Sequence, residues 1–564
     1  MDQKIHIGIL GGGPSGLFMF KRLVESQRTD IVIHVVEQKD QLGSGMPYSP
    51  QGANDEHVTN VSGNEIPELV TSLNDWIHTV HPDTLRKYHI DPERFNDYKV
   101  LPRLLFGYYL ASQFRMLQQQ AKDAGMEAHI HYNTSVNDVT DHPDMGKVYV
   151  DTDQGPMEFD RVIICTGHVW PKKDEGRIPN YFDSPYPPVK LALQLDHPVA
   201  IKGASLTAID ALRTLSRHNG TYGRTQDGRL CYTLNPESQG FKLVMHSRNG
   251  LLPAVRFHLE DPYLSAEAKL SPEDVAADRA ANDGFLSLDN VFEKAFKDSF
   301  KEKRPAFYEQ IKDMGVEDFV DRVMSYRQDK APFDLFKTEY EEAEISIEER
   351  ESVYWKEMLA VLSFAMNYPA KYFSAEDMLR LQKTLMPLIS VVIAFVPQSS
   401  VEEMLALHEA GVLELISVSN DSDAEPHPEG GAVYHYGEGR DEHFKTFVNC
   451  VGQPHLYYDD IPFAGLREKG SISAAKVQFR DAEAGLKQMN EGNKQVTTDG
   501  KGNYYLKVAG VTINDHFALV DDYGAYNERI YMMAVSCMGG YNPDYSGLDF
   551  CEKASACVME TLLG

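Results

Sequence analysis

Gly11, Gly13 and Gly16 stand inside GILGGGPSGL, between the apolar run IHIGIL and the helically spaced Leu17, Phe20, Leu23 and Val24. Lys4 to Leu10 reads as a short strand and Leu17 to Ser26 as a helix, so the glycines occupy a strand-to-helix turn. The pattern G-x-G-x-x-G in that setting needs a tight turn at the first glycine, a close backbone approach at the second and close helix–strand packing at the third. Unpaired N–H groups at the start of the helix, together with its dipole, favour an anion such as a pyrophosphate. A glycine-rich turn without a ligand has the same sterics, and the following strand separates the two readings. Ile31 to Val36 (IVIHVV) ends at Glu37, 26 residues after Gly11. That is close to the spacing of about 20 at which an acid binds a ribose hydroxyl.

The rest of the composition narrows the setting. A chain of 564 residues has room for roughly two to four domains of about 150 residues. Lys and Arg total 55 against 84 Asp and Glu, and a net charge of −29 repels nucleic acid and anionic membrane surfaces. Six cysteines without a C-x-x-C pair suggest neither a disulfide framework nor a zinc site, so no metal is expected and a reducing cytoplasm fits. Pro14 and the glycines break the N-terminal apolar stretch, so it does not read as an export signal. The apolar run Leu388 to Val396 is about half of the ~20 residues a membrane helix needs and reads as a buried strand. A cytoplasmic protein with no nucleic-acid or membrane partner is the expectation.

The segment EQKDQLGSGMPYSP runs from Glu37 into a second glycine pair, Gly43 and Gly45, followed by HVTNVSGNEIP and YKVLPRLLFGYYL. These stretches resemble a bacterial family of FAD- and NAD(P)-binding flavoproteins. At longer range the family is similar to the class B flavin monooxygenases, which include N-hydroxylating and flavin-containing monooxygenases. The resemblance covers most of the chain outside about 258 to 385. It implies an α/β fold of two Rossmann-like dinucleotide-binding domains, one for FAD and one for NAD(P), with a helical insertion. On this resemblance Gly11, Gly13, Pro14, Ser15 and Gly16 form the FAD loop, Glu37 with Gln38 beside it binds the adenosine ribose, and the Leu42-Gly43 turn passes the pyrophosphate or ribityl chain. Asn60 resembles an asparagine near the reactive edge of the flavin and is the candidate catalytic residue; a turn cap is its other reading. Arg103, at the start of a helix from Leu104 to Gln120, contacts a phosphate or the flavin, or else is a solvated helix-start arginine.

Phe159 to Pro171 (FDRVIICTGHVWP) is a buried strand running into Cys165-Thr166-Gly167-His168. It is similar to the turn that leads from FAD domain to nucleotide domain, which makes Thr166 and Gly167 cofactor-side residues. Cys165 and His168 read as structural, because a nucleophile or base needs an identified partner. A second strand-turn-helix follows in PVAIKGASLTAIDALRTLS, where Gly203, Ser205 and Ala208 match G-x-G-x-x-A except that Ser205 replaces the central glycine. That serine either donates a hydrogen bond or crowds a pyrophosphate, with Thr207 next to it. Phe241 to Met245 is the following strand and ends in His246-Ser247-Arg248 with no acid at the ribose position. A missing acid and an available arginine favour a 2′-phosphate, so NADPH over NADH, with Ser247 and Arg248 as its candidates.

From Leu259 to about Leu385 the spacing turns helical and highly charged. Phe444 to Val451 and Arg529 to Val535 then read as two further crossover strands, before SCMGGYNPDYSGLDF and a closing helix from Phe550 to Leu563. In related flavoproteins this last junction covers the flavin ring, and Asp544, Ser546, Gly547 and Leu548 occupy its place. The expected layout is an FAD domain in two parts, 1–190 and 444–564, a NAD(P)-like domain in two parts, 191–257 and 386–443, and a helical insertion at 258–385. The resemblance implies hydride transfer from NADPH to the flavin, then oxygen activation on a small molecule. A flavin oxidase or dehydrogenase that does not use NAD(P)H, and a flavin-containing binding or sensor protein, stay open, as do the substrate and the oligomeric state. A disulfide reductase needs two cysteines in close sequence; Cys551 and Cys557, six apart on a helix, point to different faces.

Overall fold

A computed structural model describes residues 4–167, 170–259, 270–436, 439–453, 455–543 and 547–563. Two sheets of the same design carry it. In the first, the spatial order of strands is Ala518–Val520, Tyr526–Met532, Arg161–Ile164, Ile5–Leu10, Ile31–Val36 and Glu127–His131. All neighbours run parallel except the Ala518–Val520 edge. The β-branched runs IHIGIL and IVIHVV suit these central strands, whose buried residues pack under helices. Pro14–Glu25, with proline at its first turn, packs against both Arg103–Asp123 and the closing helix Leu548–Leu562.

The second sheet has the order Tyr181–Phe182, Thr446–Asn449, Pro198–Lys202, Lys242–Ser247 and Leu413–Ser417, parallel throughout. Its middle repeats the first sheet: an opening strand lies between the strand that follows its helix and a crossover strand that returns much later. The last crossover strand of the chain, Tyr526–Met532, pairs with Arg161–Ile164, so the C-terminal part does rejoin the first sheet.

Three sequence expectations change. The FAD part expected to resume at 444 begins later, because Thr446–Asn449 pairs with Pro198–Lys202 in the second sheet. Helices continue past 385 to Met386–Val392, so the insertion outruns its expected end. The run Leu388 to Val396 is accordingly no strand: Leu388, Ile389, Val391 and Val392 bury one side of that helix. A short apolar run does not distinguish the two by periodicity, and here the neighbouring helices decide. Among the described residues no helix is long and apolar enough to cross a membrane.

Candidate functional site

Three helices begin at one cavity, and none has a side chain capping its start. Pro14–Glu25 begins at Gly13, Leu206–Asn219 at Ser205 and Leu548–Leu562 at Gly547, each without a side-chain cap hydrogen bond. Residues at all three starts line a cavity of about 910 Å³: Gly13, Pro14 and Ser15; Ser205 and Leu206; Gly547, Leu548 and Asp549. A helix start leaves backbone N–H groups unpaired and carries partial positive charge. A chain of net charge −29 therefore points three positive ends into one hollow, an arrangement suited to an anionic ligand.

Around the first turn, Gly11 takes φ +109°, and a Cβ there would lie 2.6 Å from the Cys165 carbonyl oxygen. Its N–H donates to the Val36 carbonyl at 2.8 Å, while the Cys165 N–H donates to Leu10. Glu37 is nearly buried and lines the cavity, its carboxylate accepting the Gly12 N–H at 2.7 Å and the Lys39 N–H at 3.0 Å. Gln38, Asn60, Thr166 and Gly167 also line it. Gly16, Leu42 and Gly43 do not. Gly16 packs on the Gly11 carbonyl, Leu42 on Gly12, and Gly43 on the Leu110 carbonyl, so they shape the turn from behind instead of facing a ligand. His168, Asp544 and Ser546 lie outside the described residues.

The second turn repeats the first. Gly203 takes φ +116°, with a Cβ position 2.8 Å from the Cys450 carbonyl oxygen, and its N–H donates to the His246 carbonyl at 2.9 Å. Ser205 is exposed, and its hydroxyl is directed to no cap, so it does not fold over the turn. Ser247 follows His246 where Glu37 follows Val36; its hydroxyl donates to Asn249 at 2.7 Å. Arg248 is exposed and makes no ion pair among the described residues, while Gly203, Thr207, Ser247 and Arg248 stand outside the large cavity.

Arg103 is a correction. It is not among the residues that line the cavity, and its guanidinium donates to Asp210 at 2.5 Å and to the Val58 carbonyl at 3.0 Å. Asp210 lies on the Leu206–Asn219 helix and also accepts from the Tyr186 hydroxyl at 2.6 Å. Burial would raise the Asp210 pKa, but Arg103 and His57 outweigh it and hold the group below the ordinary carboxylate value. A cation expected at the cofactor thus fastens the first nucleotide unit to the second.

Residues 8–169 match the model of a family described as FAD-NAD(P)-binding. That match takes in the Gly11 turn, the strand before Glu37 and the Thr166–Gly167 turn. Residues 271–393 match a family described as YdhS-like middle domain. The uncharacterized protein YdhS of Escherichia coli (strain K12) is 28% identical over 471 residues, 82% of this chain and 86% of that one. Among solved structures, the ornithine N-hydroxylase of Kutzneria sp. 744 is 11% identical and covers 99% of both chains with a TM-score of 0.49. A cadaverine monooxygenase of Erwinia amylovora, bound to FAD, is 12% identical with a TM-score of 0.46, covering 100% of this chain and 95% of its own.

The part of the chain matched by that model thus opens onto a cavity to which other parts of the chain also contribute. Ala360, Phe364, Ser390 and Ile393 of the middle region, with Ala394 and Phe395 just beyond it, line the same hollow. This mostly apolar wall excludes water from one side, a role that charged helical spacing did not reveal. Sequence reasoning also missed Glu65 and Arg256. Glu65 lines the cavity and is nearly buried; one carboxylate oxygen accepts from Ser62 N–H at 2.8 Å, from the Ser62 hydroxyl at 2.9 Å and from Arg256. Its other oxygen has no hydrogen-bond partner. Arg256 also donates to the Asn60 carbonyl, tying the Val58–Ser62 strand, which carries the expected flavin-edge residue, to the segment that leads into the insertion. The S-x-x-E spacing of Ser62 and Glu65 is a legible capping box; nothing local marks Arg256 as its partner, 191 residues away.

Three cysteines line the cavity, Cys165, Cys537 and Cys551. Burial raises all three thiols, Cys537 to about 11 and Cys551 to about 12. They stay protonated at neutral pH and supply no thiolate nucleophile. Redox chemistry in this cavity would therefore fall to a bound cofactor, with the protein orienting it.

Proposed function

We propose that the protein is an NADPH-reduced, FAD-dependent monooxygenase acting on an unidentified small molecule. The observation that carries this reading is the convergence of three uncapped helix starts on one cavity, two of them from duplicated nucleotide turns. The residues present fit FAD: the Gly11–Gly13 turn offers backbone N–H groups to a pyrophosphate, and Glu37 is fixed as a ribose acceptor. The positive end of Leu548–Leu562, which begins at the same cavity, would stabilise negative charge on a reduced flavin bound there. Asn60, on the Val58–Ser62 strand held by Arg256, is the candidate residue at the flavin edge, and Thr166 and Gly167 would border the cofactor.

When bound, FAD supplies an electron-accepting ring that takes hydride from a nicotinamide and can then pass electrons to oxygen. The chain's own work is to bring the second nucleotide turn to that ring. Ser205 and Leu206 already line the large cavity, so a dinucleotide on the Gly203 turn would extend towards it. Exposed Arg248, which makes no ion pair among the described residues, with Ser247 beside it and no acid at the ribose position, suits a 2′-phosphate. The apolar wall from the middle region would shield the reacting atoms from water and admit a substrate with an apolar body.

Anaerobic mixing tests this reading. The purified yellow protein, which should release FAD on denaturation, is expected to bleach rapidly with NADPH and slowly with NADH. Bleaching by neither would overturn it in favour of an oxidase, dehydrogenase or sensor. The monooxygenase step is tested by admitting oxygen with a panel of amines, sulfides and ketones, expecting a product heavier by one oxygen atom. Peroxide alone, with no product from any of them, would count against it.

A further inference from the structure

The middle region has a hollow of its own, about 350 Å³, walled by helices Pro305–Ile311, Val316–Gln328, Pro332–Glu349 and Tyr354–Met366. It shares no lining residue with the large cavity, and its size is within the range of small-molecule sites, about 300–1,000 Å³. Its walls are aromatic: Phe307, Phe319, Tyr326 and Trp355. Cations are set among these rings. Arg327 is 2% exposed and donates to Glu339 and to the Leu252 carbonyl, yet its Nε–H has no hydrogen-bond partner among the described residues. Lys356, equally buried, donates to Glu342 at 2.8 Å and pairs with Glu339 at 2.9 Å.

The lining charges do not cancel. Arg327 and Lys356, both buried, are balanced by Glu339 and Glu342, and the exposed Arg322 adds one positive charge to the lining, in a protein of net charge −29. Buried donors are normally bonded, so the unpartnered Nε–H of buried Arg327, with the exposed Arg322 guanidinium on the same lining, asks for an anion. Aromatic walls of this width ask for a flat apolar body. We infer that this hollow is a second ligand site that takes a small aromatic carboxylate, its carboxylate at the Arg322–Arg327 end and its ring against Phe319 and Trp355.

The site is independent of the flavin reading, since it uses none of the nucleotide-turn residues. The helix Tyr354–Met366 nevertheless runs from one hollow to the other: Trp355 and Lys356 line the small one, while Ala360 and Phe364 line the large one. At about 1.5 Å of rise per residue, Lys356 and Ala360 are about 6 Å apart along its axis.

Calorimetric titration of the full chain with phenylacetate, phenylacetamide and phenethylamine tests the assignment. Phenylacetate is expected to bind one to one, at least tenfold more tightly than the uncharged amide, with the cationic amine weakest. Arg322→Glu, an exposed change that reverses the surplus, should weaken phenylacetate at least tenfold and leave the amide unchanged. Val323→Trp, which fills the hollow, should abolish binding of both. Equal affinity for acid and amide, affinity indifferent to Arg322→Glu, or no binding of phenylacetate would each overturn the site.

Discussion

A methyl group at Gly11 would press on the Cys165 carbonyl with the backbone held at φ +109°, a conformation side chains rarely adopt. Gly11→Ala is therefore expected to cost about 1–3 kcal/mol of stability and to strip the flavin, seen as lower denaturant midpoint and colourless protein. Glu37 poses a different question, because its carboxylate accepts two backbone N–H groups at once. Glu37→Gln replaces one acceptor oxygen with a donor facing a backbone donor, a loss of about 1–3 kcal/mol. FAD affinity should fall further than stability does, measured as flavin retained after dialysis against the midpoint of unfolding; equal losses would mean that Glu37 only braces the turn. At the second turn, Arg248→Ala should raise KM for NADPH and leave that for NADH unchanged, since only the former carries the 2′-phosphate.

At the scale of elements, the Arg103–Asp210 pair joins the Arg103–Asp123 helix of the first unit to the Leu206–Asn219 helix of the second. Both side chains are largely buried, and removing one partner strands the other charge. Arg103→Met or Asp210→Asn should each cost about 3–5 kcal/mol, with the double variant losing much less than the sum. Because the Leu206–Asn219 helix begins at the large cavity, Arg103→Met should also weaken NADPH more than FAD, measured by separate titrations of the purified variant. The Thr446–Asn449 strand shows how such elements escape a linear reading. Its sequence, FKTFVNCVG with flanks, resembles FDRVIICTG of the first unit, so it reads as another strand of the first domain; its register beside Pro198–Lys202 makes it the crossover strand of the second.

Over the whole molecule, two histidines make acid the weak side of its stability. Burial, and for His34 the neighbouring His131, His129 and His6 as well, lowers His34 and His246 from 6.5 to about 4. Below pH 6.5 the unfolded chain takes up these protons, whereas the folded chain takes them only near pH 4. Their contribution is therefore full above pH 6.5 and is lost as the pH falls towards 4. The thermal midpoint should decline across that window, and His34→Gln should flatten the decline; an unchanged profile would show that His34 does not set it. Much of the large-scale plan was legible, since G-x-G-x-x-G with Glu37, and its imperfect copy at Gly203, are local patterns whose backbone requirements are met within a few residues. Arg103, Glu65 and Arg256 were not, because an arginine's partner depends on which distant helix packs against it. By itself the sequence determined the two nucleotide turns, the strands that feed them and a helical insertion, all governed by short-range sterics and periodicity. Only the tertiary structure decided that three helix starts share one cavity, that the insertion walls it, and that a second hollow holds surplus positive charge, because each depends on contacts between residues far apart in the chain.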